Sequence, residues 1–331
     1  MSTQLVAPAE LVLDVSASLP FDESVRLAAT VHLPDGPPRA LLICWPGGSY
    51  ARAYWDMHIP GHAGYSFADH MTSQGYLVLA ADHLGVGASS KPADGDRVDF
   101  DTVSAAAAAF VGQVRGLLAE GAPELGGTPL ADIPIVGVGH SLGACLTAVT
   151  QARYRCYDAV ALLGFTHGRK DAAISAVAGG QGDDDADADA RRRTAVEQAR
   201  AFFAGTWDDV YGVAPREPNH GWLYRPDVPA EVIAADDATA VRWPRQCYVQ
   251  ALMAGYSAEF AAALECSVFV GFGEHDLPPA PHDDVSFYSG SRDVTLYVLP
   301  DAAHCHNFAG SRTQLWDRIG RWAGGLTNAR R

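Results

Sequence analysis

Positive charge is scarce in this chain of 331 residues: 24 Lys and Arg stand against 39 Asp and Glu, a formal net charge of −15. Binding to phosphate backbones and anionic lipid surfaces rests on clustered cations. Neither a nucleic acid nor a membrane is therefore expected as a partner. Long apolar runs are missing too, since no segment has the roughly 18 or more consecutive apolar residues of a bilayer-spanning helix. The opening stretch "MSTQLVAPAELVLDV" lacks both a basic start and an unbroken apolar core, so no leader is expected and the cytoplasm is the expected location. Paired cysteines are absent: the six, at 44, 145, 156, 247, 266 and 305, include no C-x-x-C. That excludes the usual zinc clusters and the disulfide framework of small secreted domains. Free thiols are expected, with Cys44, Cys145 and Cys266 packed as small apolar groups.

With 48% hydrophobic and 19% charged residues, the composition is that of a globular enzyme with a substantial core. "LVLDVSASL" and "SVRLAATVHL" alternate as half-buried strands do, and "PDGPP" supplies a turn, so the chain is expected to begin with an antiparallel pair. A second rhythm follows. Continuous apolar runs at 40–45, 76–81, 133–139, 159–165, 266–273 and 294–300 read as buried parallel strands, with helices expected around 64–74, 101–119, 142–152 and 311–323. This alternation predicts a doubly wound, mostly parallel α/β sheet whose functional loops lie at the strands' C-terminal ends.

The interval from 166 to 262 breaks the rhythm. "QGDDDADADARRR" reads as a solvated loop or helix start, and "TAVEQARAFFAGTWDDVYGV" and "PRQCYVQALMAGYSAEFAAAL" read as helices. Residues 166–262 are expected to form a helical cap inserted into a core made of 1–165 and 263–331. No internal repeat is evident.

Within this plan, "VGVGHSLGAC" places Ser141 in a G-x-S-x-G pattern. In a chain where 33 residues are Gly the pattern alone is weak; its position after a strand and before a helix gives it mechanical meaning. A serine hydroxyl needs a base, and the base needs an orienting acid. "EHDLPP" offers Asp276 past one later strand and "DAAHCHNF" offers His304 past another, preferred over His306 as the nearer to its strand. "CWPGGSY" brings Gly47 and Gly48 past an earlier strand, and the N–H groups of Gly48 and Leu142 are expected to hold a developing oxyanion. Gly47 itself is expected to lie against the substrate. Asp82, in "ADHLGVGAS", is read as structural.

These segments resemble a known family. "GHSLG" is similar to the nucleophile elbow of serine hydrolases of the α/β-hydrolase superfamily, "WPGG" to their oxyanion loop, "DHLGVGAS" to their D-x-R-G-x-G-x-S loop, and "DAAHCHNF" to the segment carrying their histidine. The resemblance covers most of 26–165 and 264–325 and implies the α/β-hydrolase fold and a Ser141–His304–Asp276 triad that needs no cofactor. Pro46 stands where the family's oxyanion-loop His is usual, and His83 departs from the residue usual before Leu84, so hydrogen bonds between these loops are expected to be rearranged. Ser141 at the elbow argues against the aspartate chemistry of epoxide hydrolases and haloalkane dehalogenases.

Other histidines and the cap aromatics carry weaker signals. His304 and His306, at i and i+2, lack a third metal ligand in view; His58, His62 and His70, in "WDMHIPGHAGYSFADH", read mainly as structural. No metal is expected. Trp207, Tyr211, Trp222, Tyr224, Trp243, Tyr248 and Met253 read chiefly as cap core, with Trp207 and Trp222 the candidates to face the substrate, joined by Trp55 and His140 from the core. No Arg or Lys is placed near the triad to bind a charged substrate, with cap arginines such as Arg216 or Arg225 left as ones that could reach it. The expected partner is a small molecule with an apolar acyl or ring group, and a homodimer is left open. The expected reaction is hydrolysis of an ester, thioester or lactone through an acyl-enzyme; acyl transfer or carbon–carbon bond hydrolysis by the same triad, and a non-catalytic binding protein on this scaffold, are the alternatives.

Overall fold

The computed structural model describes residues 8–168 and 187–329. Most of the acidic run beginning at Gln181 therefore lies outside the described residues, and its last residues open a helix. The core is an eight-stranded sheet in the order β1-β2-β4-β3-β5-β6-β9-β10. Its strands are β1 (Ala9–Asp14), β2 (Arg26–His32), β3 (Leu41–Trp45), β4 (Leu77–Ala81), β5 (Ile135–His140), β6 (Ala159–Leu163), β9 (Ser267–Gly273) and β10 (Val294–Leu299). β1 and β2 are antiparallel to each other and β2 to β4, while every pair from β4 through β10 is parallel. "PDGPP" turns the chain from β2 into β3, and a short 3₁₀ turn at Ser16–Ser18 lies between β1 and β2.

Burial follows from this topology. Every residue of β3, β4, β5 and β6 is buried, because helices cover both faces of a parallel sheet and leave no solvated side. Alternate side chains consequently enter two apolar clusters, with Ile43, Leu79 and Val160 in one and Leu42, Val78 and Ala161 in the other. Helix α1 (Phe67–Ser73) is capped by Ser66, which accepts from the Asp69 amide at 2.9 Å, and α2 (Phe100–Glu120) by Asp99, which accepts from Thr102 at 3.0 Å. Such caps satisfy amides that the first helical turn leaves without partners. By length and composition α2 qualifies as a membrane span, a property the run-length reading missed because Ala107–Ala109 and its neighbours are interrupted only by single polar residues. In the fold it is half-buried, with Phe110, Val111 and Val114 in the core. α3 (Leu142–Tyr154) follows β5 directly, and α9 (Arg312–Ala329) follows β10.

Between β6 and β9 the described chain forms α4 (Ala188–Phe203), α5 (His220–Leu223), α6 (Ala230–Asp237), α7 (Arg245–Leu252) and α8 (Ala258–Ala262), with a two-residue ladder of β7 (Tyr211–Gly212) on β8 (Trp243–Pro244). "PRQCYVQALMAGYSAEFAAAL" is two helices rather than one: α7 ends at Leu252, and Gly255 at φ 69° lies between them. A left-handed residue cannot continue a right-handed helix. None of the six cysteines is in a disulfide, and Cys266 is only partly buried, unlike Cys44 and Cys145.

The chain leaves the sheet after β6 at a buried anchor, where the Thr166 hydroxyl donates to Asp284 Oδ1 at 2.8 Å. Burial raises the Asp284 carboxyl to about 6, against the lowering effect of that hydrogen bond. A carboxyl raised above its unfolded value of about 3.9 stabilises the fold fully below that pH and loses its contribution as pH rises through the folded value. Asp284→Asn is therefore expected to melt increasingly above the wild type between pH 4 and pH 8, by up to a few kcal/mol of stability; a melting difference that does not change with pH contradicts this.

Candidate active site

The turn after β5 is where backbone geometry and chemistry meet. Ser141 sits at φ 54° and ψ −124°, a conformation a non-glycine residue adopts only when its surroundings enforce it. Gly143 enforces it from one side, since a Cβ there would collide with the carbonyl oxygens of Trp45 and Pro46, and Gly139 from the other, where a Cβ would strike Gly143 and Ala144. The strain lifts the Ser141 side chain out of the sheet plane at the start of α3.

Two later strands deliver its partners. The Ser141 hydroxyl donates to His304 Nε2 at 2.9 Å, and His304 Nδ1 donates to Asp276 Oδ1 at 2.7 Å. Asp276 follows β9 and His304 follows β10, so adjacent parallel strands end side by side and bring together residues 28 positions apart. Asp276 also accepts from the Leu277 amide at 2.7 Å. Burial alone would raise the Asp276 carboxyl, but attraction to His304 and hydrogen bonds from His304 and His306 outweigh it and hold the group well below the usual carboxylate range. It remains an anion facing the imidazole.

His306, two residues beyond His304, meets the same carboxylate from the other side. His306 Nε2 lies 2.7 Å from the second carboxylate oxygen, Asp276 Oδ2. Each oxygen of Asp276 thus faces its own imidazole. His140 lies beneath: its Nε2 donates to the His304 carbonyl at 2.8 Å and its ring stacks on Tyr54 with centroids 4.7 Å apart. Burial, then His304 and His306, lower the His140 pKa well below its ordinary value, so this ring is a neutral support.

The site opens into a cavity of about 120 Å³ lined by Gly48, Ser141, Leu142 and His304 from the core and by Phe202, Trp222, Tyr248 and Leu252 from the segment between β6 and β9, among others. Trp222 packs on His304 with ring centroids 4.9 Å apart. Gly48 needs its missing side chain, because the Tyr248 hydroxyl occupies that space. Three expectations of substrate contact fail. Trp55 is wholly buried between Tyr54 and Phe67 in the second core cluster. Trp207 packs on Phe203, between Arg200 and Arg245, away from the cavity. Gly47 lies under the elbow, where a Cβ would stand 3.0 Å from Ser141 Cβ. His140 does contribute to the cavity wall but is only 1% exposed, and its polar contact is to the protein backbone.

Arg216 does reach the cavity wall, already fully engaged. Its Nε donates to Ser49 Oγ at 3.1 Å, Nη2 to the Ser49 carbonyl at 2.7 Å, and Nη1 pairs with Asp236 Oδ1 at 3.0 Å. Its guanidinium also lies 3.6 Å above the Tyr50 ring. Ser49 is held at φ 64° directly after Gly47 and Gly48, so Arg216 braces that turn from the segment between β6 and β9. Nothing in the local sequence around Arg216 signals this, because Ser49 is 167 residues away. At the two positions that depart from the family pattern, His83 Nε2 donates to the Pro46 carbonyl at 3.2 Å while its ring stacks on Trp45. Asp82 accepts from the Arg52 amide at 2.7 Å and the Ala88 amide at 2.9 Å.

A family model described as "Alpha/beta hydrolase family" matches residues 42–313. The chain belongs to the α/β-hydrolase family. Solved structures agree on the fold across nearly the whole chain. A highly thermostable carboxyl esterase from Bacillus coagulans aligns at 17% identity and a TM-score of 0.64, covering 97% of this chain and 99% of its own. A thermophilic esterase from Thermogutta terrifontis aligns at 15% identity and a TM-score of 0.62, covering 96% and 99%. The thioesterase domain from the curacin biosynthetic pathway aligns at 15% identity and a TM-score of 0.55, covering 95% and 99%. No curated protein matches the chain. Membership of the family supports hydrolase activity, and its members act on more than one kind of bond, as the similarity to a haloalkane dehalogenase from Bradyrhizobium elkanii illustrates.

The two imidazoles on Asp276 are expected to be unequal under substitution. His304→Ala should abolish activity to the level of a Ser141 variant, whereas His306→Gln, which keeps a donor near the Nε2 position, should retain most of it. His306→Leu should fall between them, on the order of tenfold down in kcat with KM little changed. Steady-state kinetics on the three variants checks this, and equal losses in His304→Ala and His306→Gln would refute the assignment.

Proposed function

We propose that the protein is a serine hydrolase that cleaves a carboxylic ester, thioester or lactone of a compact apolar molecule through an acyl-enzyme on Ser141. The observation that carries this reading is the continuous hydrogen-bonded chain Ser141–His304–Asp276, which ends at the floor of an apolar cavity. In this mechanism His304 takes the Ser141 proton as Oγ attacks the acyl carbon, and Asp276 holds the imidazole in the tautomer that presents a lone pair to the hydroxyl. The charge that gathers on the carbonyl oxygen is taken up by the N–H groups of Gly48 and Leu142. Both residues line the cavity beside Ser141, and amides fixed in place stabilise that charge without reorganising. His304 then returns its proton to the leaving oxygen or sulfur, and water attacks the acyl-enzyme by the same route in reverse.

Cavity size and lining support the choice of substrate. An apolar cavity of about 150 Å³ accommodates benzene, so about 120 Å³ suits an acyl group of a few carbons or a small ring. The one cation at its wall, among the described residues, is Arg216, whose donors are spent on Ser49 and Asp236. An uncharged acyl group is favoured.

Ser141→Ala is expected to lower turnover by about 10⁴ or more, since the members of a triad act as a unit. Near wild-type turnover in this variant would end the proposal. Among p-nitrophenyl esters, kcat/KM is expected to peak at about four to six acyl carbons and to be at least tenfold lower at ten, because a longer chain overfills a packed wall. Product analysis in the presence of an alcohol acceptor distinguishes hydrolysis, which yields the free acid, from acyl transfer, which yields the new ester.

A further inference from the structure

The histidine-rich segment "WDMHIPGHAGYSFADH" takes no part in the triad, and its folded arrangement brings four metal-ligating side chains together. His32, near the end of β2, is 4% exposed, and its Nε2 has no hydrogen-bond partner. That nitrogen faces Asp56 Oδ2 at 3.7 Å. Asp69 lies in the first turn of α1, and one ligand atom from each of His32, Asp56 and Asp69 lies within 4.8 Å of the others. His58 joins them, its Nε2 2.8 Å from Asp56 Oδ1 and 3.9 Å from Asp69 Oδ2. We propose that His32, Asp56, His58 and Asp69 form a binding site for a divalent transition ion, Zn²⁺ in the first instance, separate from the catalytic cavity.

Geometry supports this. Zinc bonds nitrogen and oxygen donors at about 2.0–2.2 Å, so tetrahedral donors lie roughly 3.3 Å apart. The His32–Asp56 separation of 3.7 Å is close to that spacing, and His58, outside the group whose ligand atoms lie within 4.8 Å of one another, swings in from its exposed position beside Asp56 and Asp69 to complete the shell. The Asp56–His58 contact is a hydrogen bond that opens as the metal replaces the shared proton. Two imidazoles and two carboxylates suit zinc better than magnesium or calcium, which prefer all-oxygen shells.

The surroundings are prepared in the same sense. Ser66 donates to Asp56 Oδ1 at 2.7 Å, the kind of outer contact that orients a ligating carboxylate. Burial lowers the His32 pKa, opposed by Asp56 and Asp69, which favours the neutral ring that a metal requires. His58 and Asp69 also line an open groove of about 660 Å³ bordered by His62 and Tyr65, a route for the ion from solvent. None of the four residues lines the cavity at Ser141.

Such an ion would fasten β2 to the segment that leads from the oxyanion loop into α1. Its consequence is stability. Chelator-stripped protein titrated with Zn²⁺ by calorimetry is expected to bind one equivalent, and Co²⁺ at the same site is expected to give the visible absorption of a nitrogen- and oxygen-coordinated ion. A hundredfold excess of Zn²⁺ over its Kd should raise the melting temperature by on the order of 5 °C. Asp69→Asn and His58→Ala change exposed side chains and are expected to fold as the wild type does by circular dichroism, each weakening Zn²⁺ at least about tenfold. His32→Gln should abolish both the cobalt spectrum and the thermal shift. Wild-type zinc affinity in the Asp69→Asn and His58→Ala variants would overturn the proposal and direct attention to the exposed group Glu274, His275 and Asp301; no binding by the wild-type protein would overturn it outright.

Discussion

The site depends on how closely the turn after β5 can approach the turn after β3. Parallel neighbours in the sheet end at the same level, so the Ser141 turn and the Gly47–Gly48 turn are forced together. They fit only because Gly143 presents no side chain to the carbonyls of Trp45 and Pro46 and Gly47 none to Ser141. This contact fixes the strained Ser141 backbone, places the amide of Leu142 at the head of α3, and sets both beside Gly48. Any side chain at Gly143 would push the Ser141 turn away from the backbone of Trp45 and Pro46.

Around that contact, the protein spends buried polar groups on orientation. His140 carries the backbone of His304, His304 and His306 divide the two oxygens of Asp276, and Arg216 ties Ser49 to Asp236 in the segment between β6 and β9. Each would be costly if left without partners in a low-dielectric interior. Together they leave little freedom for Ser141, His304 and Asp276, and the remaining cavity wall is largely hydrocarbon and aromatic.

Much of this was legible in the residues. The continuous apolar runs of β3 to β6 mark strands buried on both faces, and the alternation in β1 and β2 marks the antiparallel edge, because a sheet's surroundings are written into its side-chain period. Strand–glycine–serine–glycine–helix at 136–145 gave the elbow its context, and the chain order of Asp276 and His304 after it gave its partners. Helix breaks were harder: a single Gly255 divided a segment whose apolar spacing reads as one helix. Trp55, Trp207 and Trp222 look alike in sequence, and which of them reaches a cavity is settled by packing partners that lie far away along the chain.

By itself the sequence determined the layered α/β plan, the turn that carries Ser141 and the loops that bring Asp276 and His304 to it, since these follow from periodicity and from positions relative to strand ends. Tertiary structure decided what sequence distance conceals: the second imidazole on Asp276, the brace from Arg216 to Ser49, the size of the cavity, and the meeting of His32 with Asp56 and Asp69. The physical reason is that periodicity reports which way a side chain faces. Hydrogen bonds of three ångströms between residues tens to hundreds of positions apart arise only when whole elements are docked.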